Sequence, residues 1–208
     1  MEILPQCANC PTHVCYSPDS LKGPNFCPTK TEKETITETK ERYLQKEVWK
    51  VFQTAARVEA TGYMKWTRVE EVIHFCKMMG FKTLGIATCL GLIQETKIFA
   101  EILEKNGFSV VSVCCKTGGI PKEEIGLTDQ EKVRPGSFES ICNPIAQAEI
   151  LNKAGTDFNI MIGLCLGHDS LFLRYSQALT TVLVVKDRVL CHNPVAAIYN
   201  SHAFYSRH

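Results

Sequence analysis

Thiols dominate the chemistry that this sequence offers. It has eleven cysteines in 208 residues, an odd count that cannot pair completely into internal disulfides. Cys7, Cys10, Cys15 and Cys27 fall close together, as Cys-x2-Cys-x4-Cys-x11-Cys. Pro11 and Pro28 follow two of them and stiffen the turns. The surrounding segment has almost no apolar side chains with which to build a core, so metal binding would have to supply its folding free energy. Four thiolates suit tetrahedral zinc or an iron–sulfur cluster, and His13 could replace one thiol. Spacing does not choose between the metals. The zinc ribbon has two Cys-x2-Cys knuckles and only one is present here, while the order of the spacings reverses that of plant-type clusters. The plainest role for this segment is a zinc staple without chemistry of its own.

A second set of cysteines is spread along the chain but recurs in one setting. Cys89-Leu90-Gly91-Leu92 and Cys165-Leu166-Gly167-His168 each follow an apolar run and precede a helical pattern. Cys142-Asn143-Pro144 also opens a helix, because proline suits the first helical turn. A helix N-terminus favours anions and lowers the pKa of a thiol placed there. Cys114 and Cys115 are adjacent, so in an extended chain they point to opposite sides and one of them faces a shared site. Cys89, Cys114 or Cys115, Cys142 and Cys165 are therefore the candidate ligands of a second, cofactor-binding site. Cys165, His168 and His192 are the candidate catalytic groups, since histidine transfers protons near neutral pH. Taken singly, each histidine is more simply a capping or turn residue, and Cys76 reads as a small buried hydrophobe. Lys116 and Lys122 could attract an anionic ligand, and Gly118-Gly119-Ile120-Pro121 is a flexible loop placed to cover the same edge. The usual glycine-rich nucleotide loops and the Gly-x-Ser-x-Gly nucleophile turn are missing.

The elements that must position these thiols follow a repeated pattern. A helix stops at glycine, an apolar strand follows, and cysteine closes the strand. Gly80 precedes Lys82–Thr88 and Cys89, Gly107 precedes Phe108–Val113 and Cys114, and Gly155 precedes Phe158–Leu164 and Cys165. A fourth strand is expected over Thr181–Val185. Short apolar strands alternating with helices predict an α/β fold, a mostly parallel sheet with helices on both faces. In such a sheet every strand's C-terminal end lies on one edge, where ligands bind, so the cysteines should gather there. Residues 1–30 form a Cys-rich module in this reading, residues 31–80 a helical segment packing on the core, and residues 81–208 the α/β domain with its Cys-lined edge. In the helical segment Leu44, Val48, Phe52 and Ala55 share one face, and Val69, Val72, Ile73 and Cys76 share another.

Bulk properties narrow the partners. The 23 basic and 22 acidic residues nearly balance, and no basic stripe indicates nucleic acid. No apolar run approaches the roughly 20 residues that span a bilayer. No basic-then-apolar leader is visible, which points to the cytoplasm, where thiols stay free or are given to metals.

Several strings together carry a family resemblance. They are the N-terminal cysteine spacing, Ala56-Arg57-Val58-Glu59-Ala60, Val113-Cys114-Cys115-Lys116, Cys142-Asn143-Pro144-Ile145-Ala146-Gln147-Ala148-Glu149, Gly163-Leu164-Cys165-Leu166-Gly167-His168-Asp169-Ser170, and Val184-Val185-Lys186-Asp187-Arg188 through His192-Asn193-Pro194. With these, nearly the whole chain resembles an uncharacterised prokaryotic family, a domain of unknown function numbered eighteen-forty-seven, whose description implies metal binding but no reaction. Three functions compete: a zinc or iron–sulfur binding protein with a second thiol site, an enzyme using the edge cysteines on a small sulfur-containing or anionic substrate, and a structural zinc protein with free edge thiols.

Overall fold

A computed structural model describes residues 3–206. The chain divides into two units at Thr61/Gly62. In the first, short 3-10 turns at Cys7–Asn9, Val14–Tyr16 and Ser20–Lys22 lead to α1 (Pro28–Thr31), α2 (Lys33–Arg42) and α3 (Lys46–Gly62). The α3 face carrying Val48, Phe52 and Ala55 is exposed, as is Leu44 before it, whereas Thr54 and Val58 are buried. Hydrophobic periodicity thus locates the helix, but the stripe of largest side chains is not the buried one.

The second unit opens with α4 (Arg68–Met79), started by a Thr67–Glu70 capping box and stopped by Gly80 in the left-handed conformation. There follow β1 (Thr83–Thr88), α5 (Ile93–Lys105), β2 (Ser109–Cys114), α6 (Pro144–Lys153), β3 (Phe158–Ile162), α7 (His168–Tyr175), β4 (Leu179–Val184) and α8 (Val195–Tyr199). The strands form one wholly parallel sheet in the order β2-β1-β3-β4. This is the α/β architecture expected from the alternating pattern.

Alternate residues of the central strands supply two cores, because successive side chains leave a strand on opposite faces. On one face Leu84, Ile86, Ile160 and Ile162 pack with Val72, Ile73 and Cys76 of α4 and Phe99 and Leu103 of α5. On the other face Ala87, Val113 and Met161 pack with Ala148 and Leu151 of α6 and Phe172 of α7. Cys89 and Cys115 belong to this second core, so the thiol edge sits on packed side chains. Among the described residues, no helix is long and apolar enough to cross a membrane.

Candidate functional site

The site begins with strand register. Thr88 of β1 is level with Cys114 of β2 and Ile162 of β3. The next residues, Cys89 and Cys115, therefore leave the sheet side by side. The ladder continues through them: Cys89 N–H donates to the Ile162 carbonyl at 3.0 Å, and Cys115 N–H donates to the Thr88 carbonyl at 2.8 Å.

Helix α6 then brings in Cys142. Its cap residue Asn143 accepts the Ala146 N–H at 3.1 Å through its side chain and donates its own N–H to the Cys115 carbonyl at 2.7 Å. One turn on, fully buried Gln147 donates its amide to the carbonyls of Thr88 (3.1 Å) and Val113 (2.7 Å). One side chain thus clamps the ends of both cysteine-bearing strands. Cys165 and His168 come from the turn into α7. There the Cys165 carbonyl accepts the N–H groups of His168 and Asp169, and Gly167 takes a positive φ of 83°.

Cys142, Cys165 and His168 converge, with one donor atom from each lying within 4.8 Å of the others. Tetrahedral zinc, with Zn–S near 2.3 Å and Zn–N near 2.0 Å, separates its ligand atoms by about 3.5–4 Å. The set therefore needs a contraction of at most about 1.3 Å to ligate. His168 Nδ1 is buried with no hydrogen-bond partner among the described residues. An unpaired buried polar atom is costly, and a bound ion is one way to remove that cost.

The thiols are strongly polarised. Cys115 lies within hydrogen-bonding reach of Cys142 and Cys89, and donation to them, with burial, pushes its own pKa well up. Accepting a hydrogen bond from the Cys115 thiol holds Cys89 at about 4, helped by the Gly91 N–H and the Lys186 ammonium against the opposing effect of burial. Cys142 is held at about 5, first by Cys115 and then by the charges of Lys116 and His168, again against burial. Arg188 donates to Cys165 Sγ at 3.0 Å. These are the features of thiolates prepared as ligands or nucleophiles.

A cleft of about 830 Å³ opens over this cluster, lined by Cys89, Cys115, Cys142, Cys165 and His168. Its outer wall is formed by residues of the segment between β2 and α6, among them Lys122, Ile125, Leu127, Val133, Phe138 and Ile141. Two ion pairs to Lys132, from Glu123 and Asp129, order that segment. A Thr128–Glu131 capping box adds to them.

Of the residues proposed from the sequence, Cys89, Cys115, Cys142, Cys165 and His168 meet in the cleft. Cys114, the other half of the adjacent pair, does not line it. Nor does His192, whose Nδ1 accepts the Asp187 N–H at 3.1 Å inside a turn where its φ is 63°. At the N-terminus Cys7 and Cys15 are exposed, Cys10 is half-buried and Cys27 is buried. Cys10 Sγ accepts the His13 N–H at 3.4 Å, and backbone hydrogen bonds from Thr12 and His13 lower its pKa. These four sulfurs are not among the described groups of three or more donors that lie within 4.8 Å of one another. Lys186 and Arg188 were missed from the sequence. The signal that could have found them is position, because they leave β4 at the edge where the cysteines leave the other strands.

A family described as Protein of unknown function (DUF1847) matches residues 27–183. An uncharacterised protein of Methanocaldococcus jannaschii is 47% identical over 197 residues, which is 95% of each chain. No solved structure matches.

Proposed function

The chain belongs to this family of unknown function, and we propose that it is a cytoplasmic metal-binding protein whose principal site is Cys142, Cys165 and His168. The observation that carries the reading is the convergence of these three donors within 4.8 Å on a ligand-binding edge of the sheet. Two thiolates and one imidazole suit zinc with a fourth position open to the cleft. Cys89 and Cys115 add thiols to the same cleft, the composition an iron–sulfur cluster would use.

Metal at this site would act as a Lewis acid on a group bound in the open position. The protein's own residues have separate work. Arg188 donates a hydrogen bond to Cys165 Sγ and orients it, Gln147 fixes the strand ends, and Cys89 stands outside the three-donor set as a free thiolate beside Lys186. The N-terminal cysteines Cys7, Cys10, Cys15 and Cys27 are proposed as a second, structural metal site on the strength of their spacing.

Anaerobic purification followed by elemental analysis and an absorption spectrum tests both sites. A colourless protein with zinc supports the three-donor reading. A brown protein absorbing near about 400 nm supports a cluster. Cys142→Ser and Cys165→Ser are each expected to lose one equivalent of metal while Cys7→Ser retains it at the edge. Undiminished metal in both edge variants would overturn the assignment.

A further inference from the structure

The cleft has two further properties that a bare metal site does not need. One is charge. Lys116, Arg134, Lys186 and Arg188 line it, and among the described residues none of them forms an ion pair with a carboxylate. The one acidic residue of the wall, Glu139, is already paired with Lys122 at 2.9 Å. The chain as a whole carries a formal charge of only +1, so this concentration is local. Some of it serves the cysteines: Arg188 bonds Cys165, and Lys186 lowers Cys89. A divalent ion on Cys142 and Cys165 would neutralise both of those thiolates. Four cations would then face the single thiolate of Cys89, leaving the cleft positive.

The other property is an apolar wall. Ile125, Leu127, Val133 and Phe138 line the cleft from the segment that closes it. Val133 and Phe138 are 84% and 73% exposed, although the segment is otherwise tied down by ion pairs. Exposed apolar side chains inside a cleft are surface awaiting a partner. A volume of about 830 Å³ falls in the range of small-molecule sites.

We infer that the cleft binds a small organic anion, its charged group held by Lys186 and Arg134 and its apolar body against Val133 and Phe138. Lys186 is the central contact. Its Nζ lies over Gly91, where a Cβ would stand 3.6 Å from it and 4.0 Å from Cys89 Sγ. The anionic group is thereby placed beside the Cys89 thiolate and the open position of the proposed metal. The charge count rests on the metal reading above, whereas the apolar wall does not.

The test uses anilinonaphthalene sulfonate, an anion with an apolar body, and phenylnaphthylamine, which has the same body without the charge. Both are titrated by fluorescence against the zinc-loaded full chain, with zinc content measured on every sample. The sulfonate is expected to bind saturably at one site and more tightly than the amine. The Arg134→Gln/Lys186→Gln double variant should weaken the sulfonate by about tenfold and leave the amine unchanged. Phe138→Ser should weaken both, with zinc content constant throughout. Equal affinity of the two probes, or sulfonate binding unaffected by the double variant, would overturn the inference. If the chain takes up no zinc, the metal reading fails, and the same comparison on zinc-free protein decides the anion site separately.

Discussion

At the scale of single residues, the cluster works by unequal sharing of protons. Cys115 keeps its proton and offers its single S–H to Cys142 or Cys89, so one cysteine stays protonated while its neighbours are lowered. Cys76 shows the opposite outcome for a thiol with no such partner, since burial pushes it up to about 12. Reactivity should follow. At about pH 6, metal-free protein treated with iodoacetamide is expected to alkylate Cys89 and Cys142 quickly and Cys76 not at all, because the thiolate is the nucleophile. These are acids with lowered pKa values, so reactivity should fall on acidification. Cys142 should lose it near pH 5 and Cys89 near pH 4. Zinc should protect Cys142 and Cys165 but spare Cys89 from protection. Peptide mapping by mass spectrometry reads all four rates, and equal labelling of Cys89 and Cys76 would contradict the proton-sharing account.

At the scale of elements, the sheet decides where the thiols stand, and one close approach shows how little slack it has. Gly85 of β1 lies level with Asn159 of β3. A Cβ at Gly85 would fall 2.0 Å from Asn159 Oδ1 and 3.0 Å from Leu151 Cδ1. Asn159 cannot retreat, because it is fully buried and bonded to Thr156 and Ser176. Gly85→Ala is therefore expected to cost about 1–3 kcal/mol in urea unfolding. Adding Asn159→Ala should return part of that loss, the coupling expected of residues in contact. Additive losses in the double variant would mean that the contact is not the cause.

The same elements explain what the sequence made legible. β1 and β3 are buried on both faces and read as continuous apolar runs, while β2 is a half-buried edge strand betrayed by its valines, so all three and the cysteines at their ends were visible from pattern alone. β4 was expected at Thr181–Val185 and begins at Leu179 instead. It is a half-buried edge strand whose register shifts at Met161/Ile162, so its periodicity is weak. The wall of the cleft was visible only as a glycine-rich loop. Its order comes from Lys132 meeting Glu123 and Asp129, tertiary pairings that leave no periodic trace. Lys186 and Arg188 passed unnoticed because cations beyond a strand end are usually solvated, and only the sheet's topology brings them to the cysteines.

At the scale of the whole molecule, the two units differ in what could hold them folded. The unit after Thr61 has two packed cores, one on each face of its sheet, and these do not depend on a metal for burial. The stretch of residues 3–30 has nothing comparable, since among its described residues only Gly23 and Cys27 are buried. Gly23 is part of the reason, because a Cβ there would stand 3.0 Å from Cys27 Sγ and 3.2 Å from Val14. A segment so poor in apolar contacts needs another source of order, and metal bound by Cys7, Cys10, Cys15 and Cys27 would supply it. Hydrogen exchange measured with and without a chelator separates the units. Chelation should raise exchange across residues 3–30 and leave the amides of β1 and β3 protected, since the strand ladders are anchored by the cores rather than by ligands. Cys7→Ser should reproduce the first effect in the presence of zinc, whereas Cys142→Ser should not. Protection of residues 3–30 that is identical in all four samples would show that this segment is ordered without metal. The four N-terminal cysteines would then have to be assigned some other role than ligation.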